Sequence, residues 1–597
     1  MEVFISMSSY LEKLKSCTSI SDLISEFELN ITPQQFSYIV YKVEDSKKYQ
    51  TFTILKKSGD DRIIQKPHNS LKEIQKSIAN ILMHCVDDIR KDKPNYLKCS
   101  HAFEWGKSIV SNSEIHINKK FVLNIDIADF FDSIHYGRIK GFFVSDYYFS
   151  LNETIARVIA KVATCNGTLP QGSPLSPIIS SLIGNLIDIK FLELAKKYRF
   201  TYSRYADDIT LSSNKELSDE LVIWDRENNV WKVTNTIESL LNRKSGFKIN
   251  EKKTRYNRFS SRQLVTGIVV NKEKNVVREY KKQNRSMVNS LLNTGEFFIK
   301  DISDEHIKGT IEQLIGRLNY CIYVKYYKPN NLTKLDLDSK IDNKEDNRKN
   351  IRKMVSLRID KNDENFPLQK PDHQMYLLRS VLFFKYFTNI TQTTIYPEGY
   401  TDPMYFSIAT EKLNKKGLFH FQKINDSLKK LGLSGGASSV NYFISKFVEH
   451  SYFIRFSSIV PTHPAIFVLD YDNGLEGCQY ILNSKRFGFI KKKNIQFSHI
   501  KDNVYVLLLS PISNEKSWKK KENYKCIENF ITYQGKIIQV SDEEGEYVSF
   551  KDDKIKKYNF AQYIMNKPDE FSFSEFSNLF DQISLIESDY KERLAMK

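Results

Sequence analysis

Apolar positions in the first half of the chain alternate between helical and strand-like spacing. Leucine and isoleucine recur at helical intervals through residues 1–50 and again from 71 to 81, which predicts helices. Between them, residues 52–67 alternate apolar and polar around the turn Lys-Ser-Gly-Asp-Asp, the pattern of a β-hairpin. Strands and helices then alternate to about residue 272. We therefore expect a mixed α+β domain in this half.

The second half divides at a polar stretch. Residues 276–327 carry apolar positions at helical spacing with basic residues between them, which predicts helices. Residues 328–362 are rich in Lys, Asp and Asn with little periodicity, so a linker and a charged solvated helix are equally good interpretations. Uninterrupted apolar runs at 465–469 and 504–509 then predict buried strands of a further domain.

Composition and charge extend this picture. A chain of 597 residues with 41% apolar residues is long enough for two or three packed domains. The net charge of +17 suits a polyanionic partner such as nucleic acid, although lysine used for solubility explains it equally well. Seven scattered cysteines without a Cys-x-x-Cys pair indicate reduced thiols. Because there is no N-terminal signal and no long apolar run, we expect a cytoplasmic protein with no membrane partner.

Carboxylates lie at the end of one apolar strand and in a later turn. Asp126 ends the run Phe-Val-Leu-Asn-Ile-Asp, and Asp207 and Asp208 belong to the sequence Tyr-Ala-Asp-Asp. Taken alone, Asp126 is explained as the N-cap of a following helix, and the Asp pair as a solvated β-turn. Adjacent carboxylates repel each other, however, and a divalent cation between them and a partner would relieve that repulsion.

A glycine-bearing turn lies between these carboxylates, in Leu-Pro-Gln-Gly-Ser-Pro-Leu-Ser-Pro at residues 169–177. Gln171 and Gly172 offer backbone N–H groups, and Ser176 with Pro177 suits the N-cap and first position of a helix. Such a turn suits a phosphate or a nucleic-acid backbone. A simple loop is the alternative.

Together these three sequences resemble the palm of reverse transcriptases. The resemblance implies that Asp126 and Asp207 bind two Mg²⁺ ions, that Asp208 supports the site, and that dNTPs react by in-line phosphoryl transfer. It also implies that Phe131 excludes the ribose 2′-hydroxyl and that Lys253 protonates the leaving pyrophosphate. The implied dNTP-binding residues are Lys56, Arg62, Phe131, Gln171, Gly172 and Lys253. For Arg62 and the lysines an ordinary surface position is the alternative.

Two further sequences resemble signatures of bacterial retron reverse transcriptases. Asn112-Ser-Glu-Ile-His116 resembles Asn-Ala-x-x-His with serine in place of alanine, and Val265-Thr266-Gly267 resembles a Val-Thr-Gly signature. The resemblance implies that these segments contact a cognate noncoding RNA, which is both template and primer and yields RNA-linked DNA. A structural histidine is the alternative for His116.

Basic and aromatic residues interleave between about 243 and 285, a composition suited to RNA. We expect RNA contacts from Arg278, Lys281, Lys282 and Arg285. A solvated basic face is the alternative.

The C-terminal third carries a second set of acids. Glu398 follows a short β-rich run, and Asp470-Tyr-Asp472 ends the apolar run at 465–469. Ligands of parallel sheets bind at the carboxyl ends of strands, so carboxylates that converge there would bind Mg²⁺. The pattern Glu-Gly…Asp-x-Asp resembles a Toprim domain, which implies one or two Mg²⁺ ions on these three acids and a nuclease effector for antiphage defence. A structural α/β domain with turn carboxylates is the alternative.

The predicted fold is an α+β right-hand polymerase with fingers, palm and thumb, followed by an α/β Toprim-like domain. The predicted domains are 1–120 (N-terminal helices and fingers), 121–275 (palm), 276–327 (thumb), 328–369 (linker) and 370–597 (Toprim-like effector). The predicted partners are dNTPs, a cognate noncoding RNA and its RNA-linked DNA product, and the sequence leaves a homo-oligomer open. Two other functions stay open: an inactive nucleic-acid-binding scaffold, and a non-retron defence or intron reverse transcriptase with a structural C-terminal domain.

Overall fold

The computed structural model describes residues 9–55, 61–104, 106–242, 245–300, 305–326, 372–448, 453–478, 480–481, 490–492, 495–509, 526–540, 547–551 and 553–596. The chain forms two compact units, one of residues 1–278 and 323–360, the other of residues 279–322 and 361–597. Among the described residues, none of the helices combines the length and apolar character that crossing a bilayer requires. The predicted linker, 328–369, lies outside the described residues.

The first unit contains ten α-helices and eleven strands among its described residues. The helices are α1 (Tyr10–Ser16), α2 (Ile20–Glu26), α3 (Pro33–Ser37), α4 (Asp45–Lys48), α5 (Asn69–Asp92), α6 (Ile109–Glu114), α7 (Tyr136–Ser145), α8 (Glu153–Ala163), α9 (Ser176–Tyr198) and α10 (Asn235–Leu241). The strands are β1 (Tyr49–Leu55), β2 (Asp61–Pro67), β3 (Phe121–Ala128), β4 (Thr201–Tyr205), β5 (Asp208–Ser213), β6 (Val222–Asp225), β7 (Val230–Val233), β8 (Lys248–Ile249), β9 (Arg255–Arg258), β10 (Leu264–Val265) and β11 (Ile268–Val269).

The apolar periodicity of the sequence accounts for these elements. The short N-terminal helices begin at capping boxes, such as Ser9 with Glu12, and the buried face of α5 carries leucine and isoleucine at helical spacing. The predicted hairpin is present as β1 and β2, which pair from Tyr49 opposite Pro67 to Leu55 opposite Asp61.

An antiparallel sheet forms the centre of the first unit. Its strand order is β4-β5-β3-β8, and β9 also pairs with β3. The central strand β3 is buried at Val122, Leu123, Ile125 and Ile127, and α9 contributes further buried apolar side chains to the same core. This sheet fixes the positions of the strand ends that carry the acids.

The second unit contains most of α11 (Arg278–Thr294) and α12 (Ile311–Tyr326) as well as the C-terminal region. Its other described helices are α13 (His373–Phe383), α14 (Asp402–Lys412), α15 (Asp426–Lys429), α16 (Ala437–Phe443), α17 (Lys557–Asn566) and α18 (Phe576–Ala595). Its strands are β12 (Phe298–Lys300), β13 (His306–Lys308), β14 (Thr394–Pro397), β15 (His420–Phe421), β16 (Ala465–Leu469), β17 (Ile490–Lys492), β18 (Ile495–Lys501), β19 (Val504–Leu508), β20 (Thr532–Tyr533), β21 (Lys536–Ile537), β22 (Gln539–Val540), β23 (Tyr547–Phe550), β24 (Asp553–Lys556) and β25 (Phe571–Ser572).

A six-stranded sheet of order β15-β14-β16-β19-β18-β17 is the core of the second unit. The strands β15, β14, β16 and β19 are parallel to one another, whereas β18 is antiparallel to β19 and β17 is antiparallel to β18. The two apolar runs of the sequence are β16 and β19, and every residue of both strands is buried. The predicted thumb segment therefore packs with the C-terminal region, a grouping that the sequence did not reveal.

Candidate active sites

Three carboxylates meet at one end of the antiparallel sheet. Asp126 on β3 is the direct register partner of Asp208 on β5. Tyr205 pairs with Asp208 across a two-residue turn in which Ala206 has a φ of +56°. The backbone N–H of Ile127 donates to the carbonyl oxygen of Asp207 at 3.0 Å. The structure thus brings together the three acids that the sequence singled out, and no helix begins directly after Asp126.

Burial and mutual repulsion shift the pKa values of these acids. Burial, with the charges of Asp207 and Asp126, raises the pKa of Asp208 to about 7. Burial and Asp126 also raise the pKa of Asp207. The Nζ of Lys253 lies 3.0 Å from Oδ1 of Asp126, so one cation already offsets part of the charge. Three hard oxygen donors that repel one another are a donor set suited to Mg²⁺.

A buried ion pair supports the turn that carries two of these acids. Arg204 and Asp188 are only 1% and 2% exposed, and they form a bidentate pair with N–O distances of 2.7 and 2.8 Å. Nη1 of Arg204 also donates to the carbonyl oxygen of Ala206 at 3.1 Å. Gly184 leaves room for this guanidinium, because a Cβ there would overlap it. Sequence reasoning missed this pair, although an aspartate inside the apolar helix α9 was a signal.

Asn112 and His116 are buried, which corrects the expectation that these two side chains contact RNA directly. Asn112 and His116 are each 0% exposed. The Nδ1 of His116 lies 2.7 Å from the hydroxyl of Ser212 on β5, and its Nε2 lies 2.8 Å from that of Ser203 on β4. Burial lowers the pKa of His116 to about 3, so the ring is neutral. His116 therefore bridges β4 and β5, the two strands of the hairpin that carries Asp207 and Asp208, which is the structural alternative that the sequence left open.

The second retron-like signature meets the first in space. Thr266 and Gly267 form the turn of the β10–β11 hairpin, and the Thr266 hydroxyl donates to the carbonyl oxygen of Ile109 on α6 at 3.3 Å. Val265 is 0% exposed, so its expected contact with RNA is likewise replaced by packing. Of this signature, only Gly267 is exposed.

The Gln171–Gly172 turn packs against the β1–β2 hairpin. The backbone N–H of Gln65 on β2 donates to the carbonyl oxygen of Gln171 at 2.8 Å. Gly172 has a φ of +119°, and a Cβ there would lie 3.0 Å from the carbonyl oxygen of Gln65. The hydroxyl of Ser176 donates to Pro170 at 2.7 Å and does not cap α9, contrary to the sequence expectation. Glycine is required here by backbone geometry and by this close approach.

The other residues expected to bind nucleotides or RNA are distributed as follows. Arg62 is exposed on β2, and its positive charge partly opposes the rise in the pKa of Asp207. Phe131 lies just after β3 with its ring edge-on to Phe103 and Phe130. Lys56 is outside the described residues. On α11, three of the basic residues are exposed and Lys281 is half-buried; the exposed ones are Arg278, Lys282 and Arg285.

A second carboxylate cluster lies at the carboxyl ends of two adjacent parallel strands. Glu398 follows β14, and Asp470 follows the neighbouring β16. One carboxylate oxygen of Glu398 accepts from the backbone N–H of Asp470 at 3.1 Å, and the other accepts from that of Ala437 at 3.0 Å. Asp472 lies with Asp470 and the thiol of Cys526 in a group whose ligand atoms are within 4.8 Å of one another. The sequence analysis expected Glu398, Asp470 and Asp472 to converge at the carboxyl ends of strands, and the structure places them there.

Three more charged residues surround this cluster, and the sequence reading missed them. Asp402, at the start of α14, accepts from the backbone N–H of Gly399 at 2.7 Å. Glu528 is 0% exposed and lies 3.3 Å from the Nζ of Lys557 on α17. Burial raises the pKa of Glu398, Asp402, Asp470 and Glu528, and neighbouring acids raise the pKa of Glu398, Asp470 and Glu528 further. Asp402 follows Glu398 closely enough to have been noticed, whereas Glu528 and Lys557 lie in stretches without a recognisable pattern.

Comparison with known proteins agrees with the first of these sites. Residues 54–276 match the family described as "Reverse transcriptase (RNA-dependent DNA polymerase)". The sheet and the three-carboxylate site therefore define a polymerase of the reverse transcriptase class, an RNA-directed DNA polymerase, and reverse transcriptases normally use Mg²⁺.

Individual relatives show which group of reverse transcriptases this chain resembles. The chain is 30% identical over 272 residues to the Retron Ec86 reverse transcriptase of Escherichia coli, a match that covers 45% of this chain and 76% of that protein. It is 26% identical over 307 residues to the Retron Mx65 reverse transcriptase of Myxococcus xanthus, covering 49% of this chain and 64% of that protein. For the Retron Mx162 reverse transcriptase of the same organism the identity is 28% over 273 residues, with 43% and 54% covered. The chain belongs to the retron reverse transcriptases.

A telomerase structure from Candida albicans, in complex with a telomeric RNA fragment, is a more distant match. It covers 57% of this chain and 64% of that one at 14% identity with a TM-score of 0.29, too low to support any argument.

Proposed function

We propose that this protein copies a cognate noncoding RNA into multicopy single-stranded DNA that remains linked to that RNA. The observation that carries the proposal is the register pairing of Asp126 with Asp208 beside Asp207, at the end of the palm sheet. Bound there, Mg²⁺ would supply charge neutralisation for phosphoryl transfer from dNTPs.

The side chains around these acids have their own roles in this proposal. Asp126 and Asp207 would hold the metal ions, and Arg62 on the β1–β2 hairpin would bind the triphosphate with its planar fork. Phe131 excludes the ribose 2′-hydroxyl. Lys253, which lies 3.0 Å from Asp126, delivers a proton to the leaving pyrophosphate.

Primer extension on an RNA template tests the polymerase site. Asp126→Asn removes a metal ligand and should reduce dNTP incorporation at least about a hundredfold. The matched control is Asp219→Asn, an exposed aspartate of the same unit, which should keep wild-type activity. Equal activity in both variants would contradict the assignment.

We further propose that the second unit is a Toprim-type nuclease that serves as an antiphage effector in the cytoplasm. Support comes from Glu398 and Asp470, whose carboxylate and backbone N–H meet at 3.1 Å between adjacent parallel strands. Glu398, Asp470 and Asp472 would hold one or two Mg²⁺ ions, with Asp402 and Glu528 close by. Burying this many acids without a ligand costs folding free energy, which favours a catalytic site over an inert scaffold.

Cleavage by the full-length protein tests the nuclease. Labelled DNA and RNA, single-stranded and duplex, are incubated with Mg²⁺, and Glu398→Gln should abolish the cleavage. Asp581→Asn, an exposed acid of the same unit, is the control and should cleave normally. No cleavage of any of these nucleic acids by the wild-type protein would sink the nuclease proposal and leave the polymerase proposal standing.

In the proposed defence role, the RNA–DNA product restrains the effector until infection disturbs that product. Cells that carry the wild-type system should therefore survive phage challenge better than cells that carry Glu398→Gln. Equal plaque counts in the two strains would contradict the effector role.

A further inference from the structure

One face of α11 is polar and cationic. Positions 282, 285, 289 and 293 are spaced by three or four residues and so lie along one side of the helix. All four side chains are exposed, whereas the opposite side of the helix is buried at Asn284, Val288, Leu291 and Leu292. We refer to the exposed set as the α11 stripe: Lys282, Arg285, Asn289 and Asn293.

An arginine from the C-terminal region of the same unit joins this stripe. Nη1 of Arg455 donates to Oδ1 of Asn289 at 2.6 Å, and Nη2 donates to Oδ1 of Asn293 at 3.2 Å. Hydrogen bonds also hold the backbone of Arg455 and the neighbouring Ser457 in place. The N–H of Arg455 donates to the hydroxyl of Ser380 at 2.8 Å, and the hydroxyl of Ser457 donates to the carbonyl oxygen of Leu292 at 2.7 Å.

The partners of this guanidinium orient it without neutralising it. Both described partners are neutral amide oxygens, and the α11 stripe contains no acid. Arg593 of the same unit is different, because its Nε lies 2.7 Å from Oδ2 of Asp589. Arg455 remains exposed, and a guanidinium uses up to five donors in a fixed fork. The unused N–H groups of this planar guanidinium can therefore donate to the oxygens of a phosphate.

We propose that Lys282, Arg285 and Arg455 form one cationic track for the phosphate backbone of the template–product nucleic acid. The stripe is about 16 Å long at ~1.5 Å per residue. Along that length one strand of a duplex presents about five phosphates at ~3.4 Å per step. The C-terminal region thereby takes part in holding what the polymerase copies. This inference rests on the polymerase activity and is independent of the proposed nuclease.

Binding of an RNA–DNA hybrid primer–template to the full-length protein tests the track. The affinity is measured by fluorescence anisotropy over a series of KCl concentrations. Arg455→Ala should weaken binding about tenfold and reduce the slope of log K against log salt by about 0.7 to 0.9, the loss of one phosphate contact. Arg593→Ala is the matched control, and it should keep the wild-type slope because Asp589 already neutralises that arginine.

A second variant separates charge from folding. Asn293→Asp leaves Arg455 in place and puts a carboxylate beside it, so the melting temperature should not fall while the salt slope decreases as in Arg455→Ala. A wild-type slope in either Arg455→Ala or Asn293→Asp would overturn the proposal. Primer extension by the same variants at saturating primer–template checks that the polymerase site itself is intact.

Discussion

The guanidinium of Arg204 reaches the carbonyl oxygen of Ala206 while its other edge is held by Asp188. The buried Arg204–Asp188 ion pair therefore supports the turn after Tyr205. This turn determines the positions of Asp207 and Asp208. A left-handed conformation at Ala206 is uncommon for a residue other than glycine, and this hydrogen bond helps to maintain it.

Removing this support should destabilise the protein and its catalytic turn together. Arg204→Met leaves the buried Asp188 without its cationic partner, at a cost of about 3 to 5 kcal/mol in the free energy of unfolding. Urea denaturation measures that cost. Because the pair acts as a unit, Arg204→Met with Asp188→Leu should be less destabilised than Arg204→Met alone, yet it should still show reduced DNA synthesis. Full activity in the double variant would contradict the role of Arg204 in orienting the turn.

Gly172 and Gly167 provide a matched pair of glycine substitutions. Both have positive φ values, +119° and +83°, but only at Gly172 would a Cβ approach the backbone of Gln65, at 3.0 Å. Gly172→Ala should therefore push the fingers hairpin away and raise the KM for dNTPs. Gly167→Ala carries only the backbone strain, about 1 kcal/mol. Equal KM values in steady-state kinetics of the two variants would argue against a fingers–palm contact at this glycine.

His116 should make the stability of the protein sensitive to acid. Its pKa is lowered to about 3 by burial, against about 6.5 in an unfolded chain. Above about pH 6.5 the imidazole ring is neutral in both the folded and the unfolded state. Below that pH the ring binds a proton in the unfolded state but stays neutral in the folded state. Stability is thus lost as the pH falls from about 6.5 towards 3, by about 1.4 kcal/mol per pH unit for this residue.

Substitution of His116 isolates that contribution. His116→Gln can still hydrogen-bond one of the two serines but cannot be protonated, so the difference in stability from wild type should shrink as the pH falls. Chemical denaturation between pH 7.5 and 5 measures this difference. His101, whose pKa is also lowered to about 3 by burial, remains in both proteins and so cancels in the comparison. A difference that does not change with pH would refute the neutral, buried histidine.

Lys557 should control how strongly the second carboxylate cluster depends on metal. It is the cation next to buried Glu528, and although burial opposes it, the charges of Glu528 and Asp470 raise the pKa of Lys557. Lys557→Met should lower the melting temperature in EDTA, and Mg²⁺ should restore more of it than in wild type. Lys554→Met, an exposed neighbour on β24, is the control. If Mg²⁺ shifts both variants equally, the cluster does not bind the ion.

The sequence predicted those site residues in which a carboxylate lies at the end of an apolar run with strand-like spacing. Asp126 lies near the end of the apolar strand β3 and Asp208 begins β5, so their convergence follows from strand pairing. The buried support did not follow, because Arg204 and Asp188 are ordinary polar residues until two elements are packed together. Asn112 and His116 failed as RNA contacts for a related reason. A sequence signature shows which residue types are present. Whether those side chains face a binding partner or the protein core depends on how the elements pack.

Sequencing the nucleic acid that copurifies with the full-length protein and its noncoding RNA tests the central claim most directly. Wild-type protein should carry single-stranded DNA covalently joined to RNA, and Asp207→Asn, with a metal ligand removed, should carry RNA alone. Asp219→Asn should carry the same RNA-linked DNA as wild type. RNA without DNA in the wild-type sample, or DNA that persists in Asp207→Asn, would contradict the account.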